Sequence, residues 1–333
     1  MLGNPFISTE SRAMNLKEIT VHFAHPAYQL TAAFDARGTG IASFQTWTRE
    51  ETRDRIGDGD VMVCTGFWDN ALLPQAEKLK FIQVCGAGYD AFDLDAIGAK
   101  GIRLSNSSGC NVNAVSDHAM ALLLSLTRQI HTGRDNQHKP QWRGMISDLT
   151  QREDELPGKT MLIFGLGKIG GRLARLAKAF DMTVIGLKRN TSSPVDHVDE
   201  LHPSASLMEH LPRADVTVLT CPLTEETRNV IDGAAFGAMK ESSYLVNVAR
   251  GGCVDQDALI DAMRNNVIAG AGIDVTVEEP LAEDSPLWGM ENVILTPHTG
   301  GETRKYEENV VDYLIENLNR LSRGEKALFN QVI

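Results

Sequence analysis

The sequence predicts an α/β chain of two doubly wound parallel-sheet domains, a Rossmann domain inserted into a flavodoxin-like one. Three observations predict it. Short continuous apolar runs such as VMVC (61–64) and FIQVC (81–85) alternate with helix-like segments. That is the pattern of parallel strands buried on both faces. The loop GLGKIG (165–170) follows the apolar run MLIF and opens a helix-like segment, yet it stands midway along the chain. The tail over 302–323 reads as an amphipathic helix that returns to the first domain.

Strands are expected at ITVHF (19–23), 41–44, VMVC and FIQVC, with a helix over LLPQAEKL (72–79). The residues before Ile19 read as a loose arm, with Met14 as an alternative start. A long apolar-rich helix is expected over 113–130. Its apolar surface is too wide for a one-sided helix, so burial between two bodies, domains or subunits, is expected. A second series then begins: MLIF (161–164), a helix over 169–180, TVIGL (183–187), VTVLT (216–220), SYLVNVA (243–249), IAGAGIDV (268–275) and NVILT (292–296). Asp255 is expected to cap the helix DQDALIDAMRNN. Asp181 stands where a helix ends, a place for a left-handed residue. The domains are therefore 1–112 plus 302–333 for substrate, and 113–301 for a dinucleotide.

With 333 residues, about two domains fit at ~100–200 residues each. A net charge of −12 and the lack of a Lys/Arg block exclude a large nucleic-acid footprint. No run of ~18 apolar residues predicts a membrane span, and the N-terminal residues do not read as a secretory signal. Five scattered cysteines without CxxC spacing predict small buried hydrophobes in a reduced, cytoplasmic setting, and no metal site.

In the glycine loop, Gly165 suits the tight turn, Gly167 the close approach of a pyrophosphate, and Gly170 helix–strand packing. Lys168 and Ile169 complete the loop, and the helix start offers free N–H groups to phosphates. NAD-binding forms place an acid ~20 residues further on. Here TVIGL ends in Lys188, Arg189 and Asn190. Two adjacent cations suit a 2′-phosphate, so NADP(H) is expected to be preferred, with NAD(H) as the alternative cofactor.

Three residues follow three strand-like runs. Arg250 follows YLVNVA, Glu279 follows AGIDV, and His298 follows VILTP. Open α/β sheets bind ligands at the carboxyl ends of their strands. An arginine fork suits a substrate carboxylate. A histidine, with its unperturbed pKa of ~6.5, suits proton transfer near neutrality. A glutamate bonded to it stabilises its charged form. The trio predicts hydride transfer on a 2-oxo acid. Glu278 is the competitor to Glu279. Thr299, Gly300 and Gly301 read as a flexible segment after His298.

The order and wording of these segments resemble the D-isomer-specific 2-hydroxyacid dehydrogenases over nearly the whole chain, in a form like the glyoxylate/hydroxypyruvate reductases. The resemblance is strongest over 85–126 and 156–301. It implies that CGAGYD (85–90) is the substrate loop, with the Ala87 and Gly88 amides on the substrate carboxylate opposite Arg250. It also implies cofactor contacts from Cys221, Pro222 and Thr227 in the PLTEET segment, from the backbone at Val248 and Ala249, and from Gly300 and Gly301. Asp274 matches the acid that faces the nicotinamide carboxamide. The chain departs from the pattern at Lys188, at Thr276 where an aromatic is usual, and at Asp117 where glutamate is usual.

A dinucleotide-sensing corepressor shares this fold and is the rival of a different class. Formate dehydrogenase is the second enzyme rival, disfavoured by Pro297 before His298 and by Glu279. The first domain and tail are expected to close over the cofactor domain and exclude water. A small 2-oxo or 2-hydroxy acid is the expected partner. The 113–130 helix and the segment around Trp142 suggest a homodimer, the commonest oligomer.

Overall fold

The computed structural model describes residues 13–333. By internal contacts the chain divides into two units, Met1–Asn111 with Thr303–Ile333, and Val112–Glu302. Each carries one all-parallel sheet. The loose arm expected before Ile19 lies mostly outside the described residues. Where it is described, it is tied down: the Met14 amide donates to Leu321 O at 3.0 Å, and Met14 and Leu16 pack on the core.

The first unit has five strands: β1 (Thr20–Ala24), β2 (Ala42–Thr46), β3 (Val61–Cys64), β4 (Phe81–Val84) and β5 (Arg103–Asn106). Their spatial order is β2-β1-β3-β4-β5, the flavodoxin-like order. Alternate residues feed the two faces. Phe81 and Cys85 join the core under the C-terminal helix Tyr306–Ser322, while Ile82 and Val84 join the core of the other face. Beyond that helix the last residues pair with β5, Val332 donating to Leu104 O at 2.8 Å. The expected helix over 72–79 is instead a 3-10 turn, Asn70–Gln75. Pro74 lies inside it, and proline cannot supply the N–H that an α-helix needs there.

The second unit has seven strands: β6 (Thr160–Phe164), β7 (Thr183–Lys188), β8 (Glu200–Pro203), β9 (Val216–Leu219), β10 (Tyr244–Asn247), β11 (Gly270–Ile273) and β12 (Val293–Leu295). The order β12-β11-β10-β9-β6-β7-β8 is the Rossmann order with one strand added at the far edge. The order reverses between β6 and β9, so the crevice for a ligand opens at their carboxyl ends. Central β9 and β11 are buried throughout. Edge strand β8 (ELHP) is half-exposed and has no apolar run.

The long helix is shorter than expected, Val112–Thr127. Gln129 takes a left-handed φ of 50° and a second helix, Ile130–His138, follows. Residues Val115, Ala119, Met120, Leu122 and Leu123 bury the first helix within its own unit, against β10, β11 and the helix Lys168–Ala179. One stripe, Asn113, Asp117 and Ala121, is exposed. Asp255 caps Gln256–Arg264 by accepting from the Ala258 amide at 3.1 Å, and Asp181 has φ 55°.

Candidate active site

Arg250, Asp274 and His298 follow β10, β11 and β12, three neighbours in one parallel sheet. Parallel strands ~4.8 Å apart bring their carboxyl-end loops side by side. Asn247, the last residue of β10, shapes the Arg250 turn. Its Oδ1 accepts from the Ala249 amide at 3.0 Å and its Nδ2 donates to Arg250 O at 3.0 Å. Arg250 Nη1 donates to Ala249 O at 2.7 Å.

His298 sits at φ 53°, with its amide on Asp274 O at 2.8 Å. Its Nδ1 donates to Glu279 Oε2 at 2.7 Å. Glu279 Oε1 accepts from the Thr276 amide at 3.2 Å, so the carboxylate is aimed at the ring by its own loop. The Glu279 hydrogen bond and charge raise the His298 pKa above its usual value, against burial and the charge of Arg250. Burial pushes Glu279 the other way, but the His298 hydrogen bond and charge, the Thr276 amide and Arg250 outweigh it and hold the carboxyl low. The two shifts agree: the pair favours imidazolium beside carboxylate. Glu278 enters only through its carbonyl, which accepts from Thr276 Oγ1 at 2.6 Å.

Thr299 and Gly300 are pinned, correcting the flexible reading. Their amides donate to Asp274 Oδ1 and Oδ2, both at 3.0 Å. Asp274 is only 4% exposed, and Thr296 Oγ1 donates to its Oδ1 at 2.6 Å. His118, on the helix Val112–Thr127, completes the cluster with Nε2 at 2.8 Å from Thr296 Oγ1. The sequence reading passed over His118, although it adjoins Asp117. Asp117 itself pairs with Arg172 at 2.6 Å.

The glycine loop is built for close approach. Gly165 has φ 109°, and a Cβ there would stand 2.6 Å from Cys221 N. A Cβ on Gly170 would stand 2.4 Å from Gly165 O. A Cβ on Gly167 would meet nothing within 4 Å, at the point where the helix Lys168–Ala179 begins. Open space over a helix N-terminus fits the phosphates of a dinucleotide. Lys188 ends β7 and Arg189 follows; among the described residues neither forms an ion pair. Asn190 Oδ1 accepts from the Ser192 amide at 2.9 Å. In the PLTEET loop, Thr227 Oγ1 donates to Pro222 O at 2.7 Å and accepts from the Thr224 amide at 2.7 Å. Cys221 and Cys253 lie with their sulfurs 3.8 Å apart, and all five cysteines are buried thiols outside any disulfide. Val248 and Ala249 are buried beside Arg250.

In the first unit, the substrate-like loop is held by Asn106 Nδ2 donating to Ala87 O at 2.8 Å and by Tyr306 donating to Cys85 O at 3.0 Å. One group of metal-ligating types stands among the described residues, Glu200, His202 and His210. Arg213 already bonds Glu200 and His210 there. No helix among the described residues is long and apolar enough to cross a membrane.

A family model described as "D-isomer specific 2-hydroxyacid dehydrogenase, NAD binding domain" matches residues 120–300. The chain belongs to the D-isomer-specific 2-hydroxyacid dehydrogenase family. It is therefore a dehydrogenase, with its NAD-binding domain over the matched residues. A glyoxylate reductase of Pyrococcus furiosus is 34% identical over 284 residues, 83% of each chain. A D-3-phosphoglycerate dehydrogenase of Methanocaldococcus jannaschii is 34% identical over 283 residues, 84% of this chain. The chain spans about half of that relative, 53%. Among solved structures, a family protein from Aeromonas salmonicida subsp. salmonicida A449 superposes with a TM-score of 0.83 at 28% identity, over 95% of this chain and 99% of that one.

Proposed function

We propose that this dehydrogenase reduces a small 2-oxo acid to a D-2-hydroxy acid, with NADP(H) as the preferred cofactor. The observation that carries the reading is the 2.7 Å hydrogen bond from His298 Nδ1 to Glu279, in electrostatic reach of Arg250. It favours the protonated imidazole and leaves Nε2 for the substrate oxygen. A bound dinucleotide would supply the hydride; the chain's residues do the rest. Arg250 clamps the substrate carboxylate and polarises the neighbouring carbonyl. The Ala87 and Gly88 amides are proposed as further donors to that carboxylate. His298 delivers the proton as charge develops on oxygen. Gly165 to Gly170 would hold the pyrophosphate, and Lys188, Arg189 and Asn190 the 2′-phosphate. The PLTEET loop, Val248, Ala249, Asp274, Gly300 and Gly301 would complete the dinucleotide site.

The glyoxylate reductase relative supports a short oxo acid as substrate. Five buried cysteines, none of them in a disulfide, support a reducing, cytoplasmic setting. Almost fully exposed Trp142 (98%) and Met145 (106%) support a homodimer through this part of the second unit. The mechanistic test is His298→Ala. It should reduce turnover by roughly 100-fold or more while dinucleotide affinity persists. Near-normal turnover in that variant would sink the proton-donor role.

A further inference from the structure

We propose that His118 is a positioning residue for catalysis: it holds Thr296 and Asp274, and through them the left-handed turn that carries His298. This rests on His298 being the proton donor.

The placement begins with two glycines of β11. A Cβ on Gly272 would stand 2.9 Å from Leu122 Cβ, and one on Gly270 would stand 3.2 Å from Leu126 Cδ2. Their absence lets the helix Val112–Thr127 lie directly on the strand. Residues four apart share a helix face. Leu126 and Leu122 therefore mark a line along β11, and His118 is the next residue on that line, over the strand's carboxyl end. There its Nε2 lies 2.8 Å from Thr296 Oγ1 and 3.3 Å from Asp274 Oδ1.

Hydrogen-bond logic fixes the direction. Burial alone would push Asp274 up, but bonds from His118, Thr296 and Gly300 outweigh it and hold it ionised. An ionised carboxylate only accepts. The Thr296 hydroxyl must then donate to Oδ1, which leaves its oxygen to accept from His118 Nε2–H. Asp274 in turn holds Thr299 and Gly300 by their amides, and its own carbonyl holds the His298 amide at 2.8 Å. Every backbone restraint named here on the 298–300 turn runs through Asp274 or Thr296. A non-glycine residue at φ 53° is costly unless its surroundings fix it. Asp274 follows β11 and Thr296 follows β12, and His118 is the outermost of those fixings, supplied by a helix.

The test compares His118→Phe, which keeps the ring and loses the donor, with His118→Gln, which keeps an N–H donor of similar reach. We expect the Phe variant to lose up to about 100-fold in kcat while its melting temperature stays near wild type. Amide exchange over 296–301 should become faster, and the Gln variant should recover most of both. If the Phe variant does not fold, Asn against Gln repeats the comparison, because Asn is too short to reach Thr296. Wild-type kcat and exchange in the Phe or Asn variant, or a Gln variant no better than either, would overturn the proposal. A wild-type protein that reduces no 2-oxo acid would instead remove the functional reading, and the exchange comparison would still decide what His118 positions.

Discussion

The Glu279 carboxylate raises the pKa of His298. In the proposed mechanism the protonated form of His298 is the donor for reduction, and its folded pKa lies above the usual 6.5 because Glu279 bonds it. The reductive rate should therefore hold below that raised pKa and fall as pH rises through it. The sign for stability is the same: the pair's contribution through His298 is complete below 6.5 and is lost as pH rises through the folded value. Glu279→Gln removes the charge, leaving burial and Arg250 to act in the opposite direction against only the smaller effect of Asp274. The basic limb of kcat/KM should then move to lower pH. A limb that stays in place would mean that another group titrates. The placement of Arg250, Glu279 and His298 after the strands was legible in the sequence because each follows an apolar run. His118 was not, because a helix histidine carries no local signal and its partner Thr296 lies 178 residues along the chain.

At the scale of elements, the turn from β6 into the helix Lys168–Ala179 separates folding from binding within three residues. Gly170→Ala puts a Cβ 2.4 Å from a backbone oxygen that cannot easily move. It should destabilise by about 1–3 kcal/mol, read as a lower melting temperature. Gly167→Ala meets open space and a φ of −88° that alanine accepts. It should leave the melting temperature near wild type and weaken dinucleotide binding, because the Cβ occupies the ligand's approach. Equal thermal loss in both variants would refute this division. Elements buried on both faces were legible as apolar runs, which is why β3, β4, β6 and β9 stand where expected. Edge strand β8 was missed because ELHP is half-exposed and needs no apolar run. The break at Gln129 was missed because a left-handed glutamine leaves no signature in composition.

For the whole molecule, the two sheet orders follow from simple alternation of strand and helix, and both α/β domains were legible. Assembly is a matter of surface. Trp142, Met145 and Leu149 are exposed in one short segment, and clustered apolar exposure of this kind marks interaction surfaces. Sedimentation should give twice the chain mass, and Trp142→Glu should shift it towards the monomer. A wild-type monomer at micromolar concentration would contradict the dimer. Arg250, Glu279 and His298 are proposed to serve reduction of a 2-oxo acid by NADPH. The decisive measurement follows NADPH and NADH oxidation with glyoxylate, hydroxypyruvate, pyruvate and a bulkier oxo acid. We expect turnover with at least one acid and a preference for NADPH. Preferred NADH would overturn the roles of Lys188 and Arg189, and tight dinucleotide binding without any oxidation would contradict the catalytic trio itself.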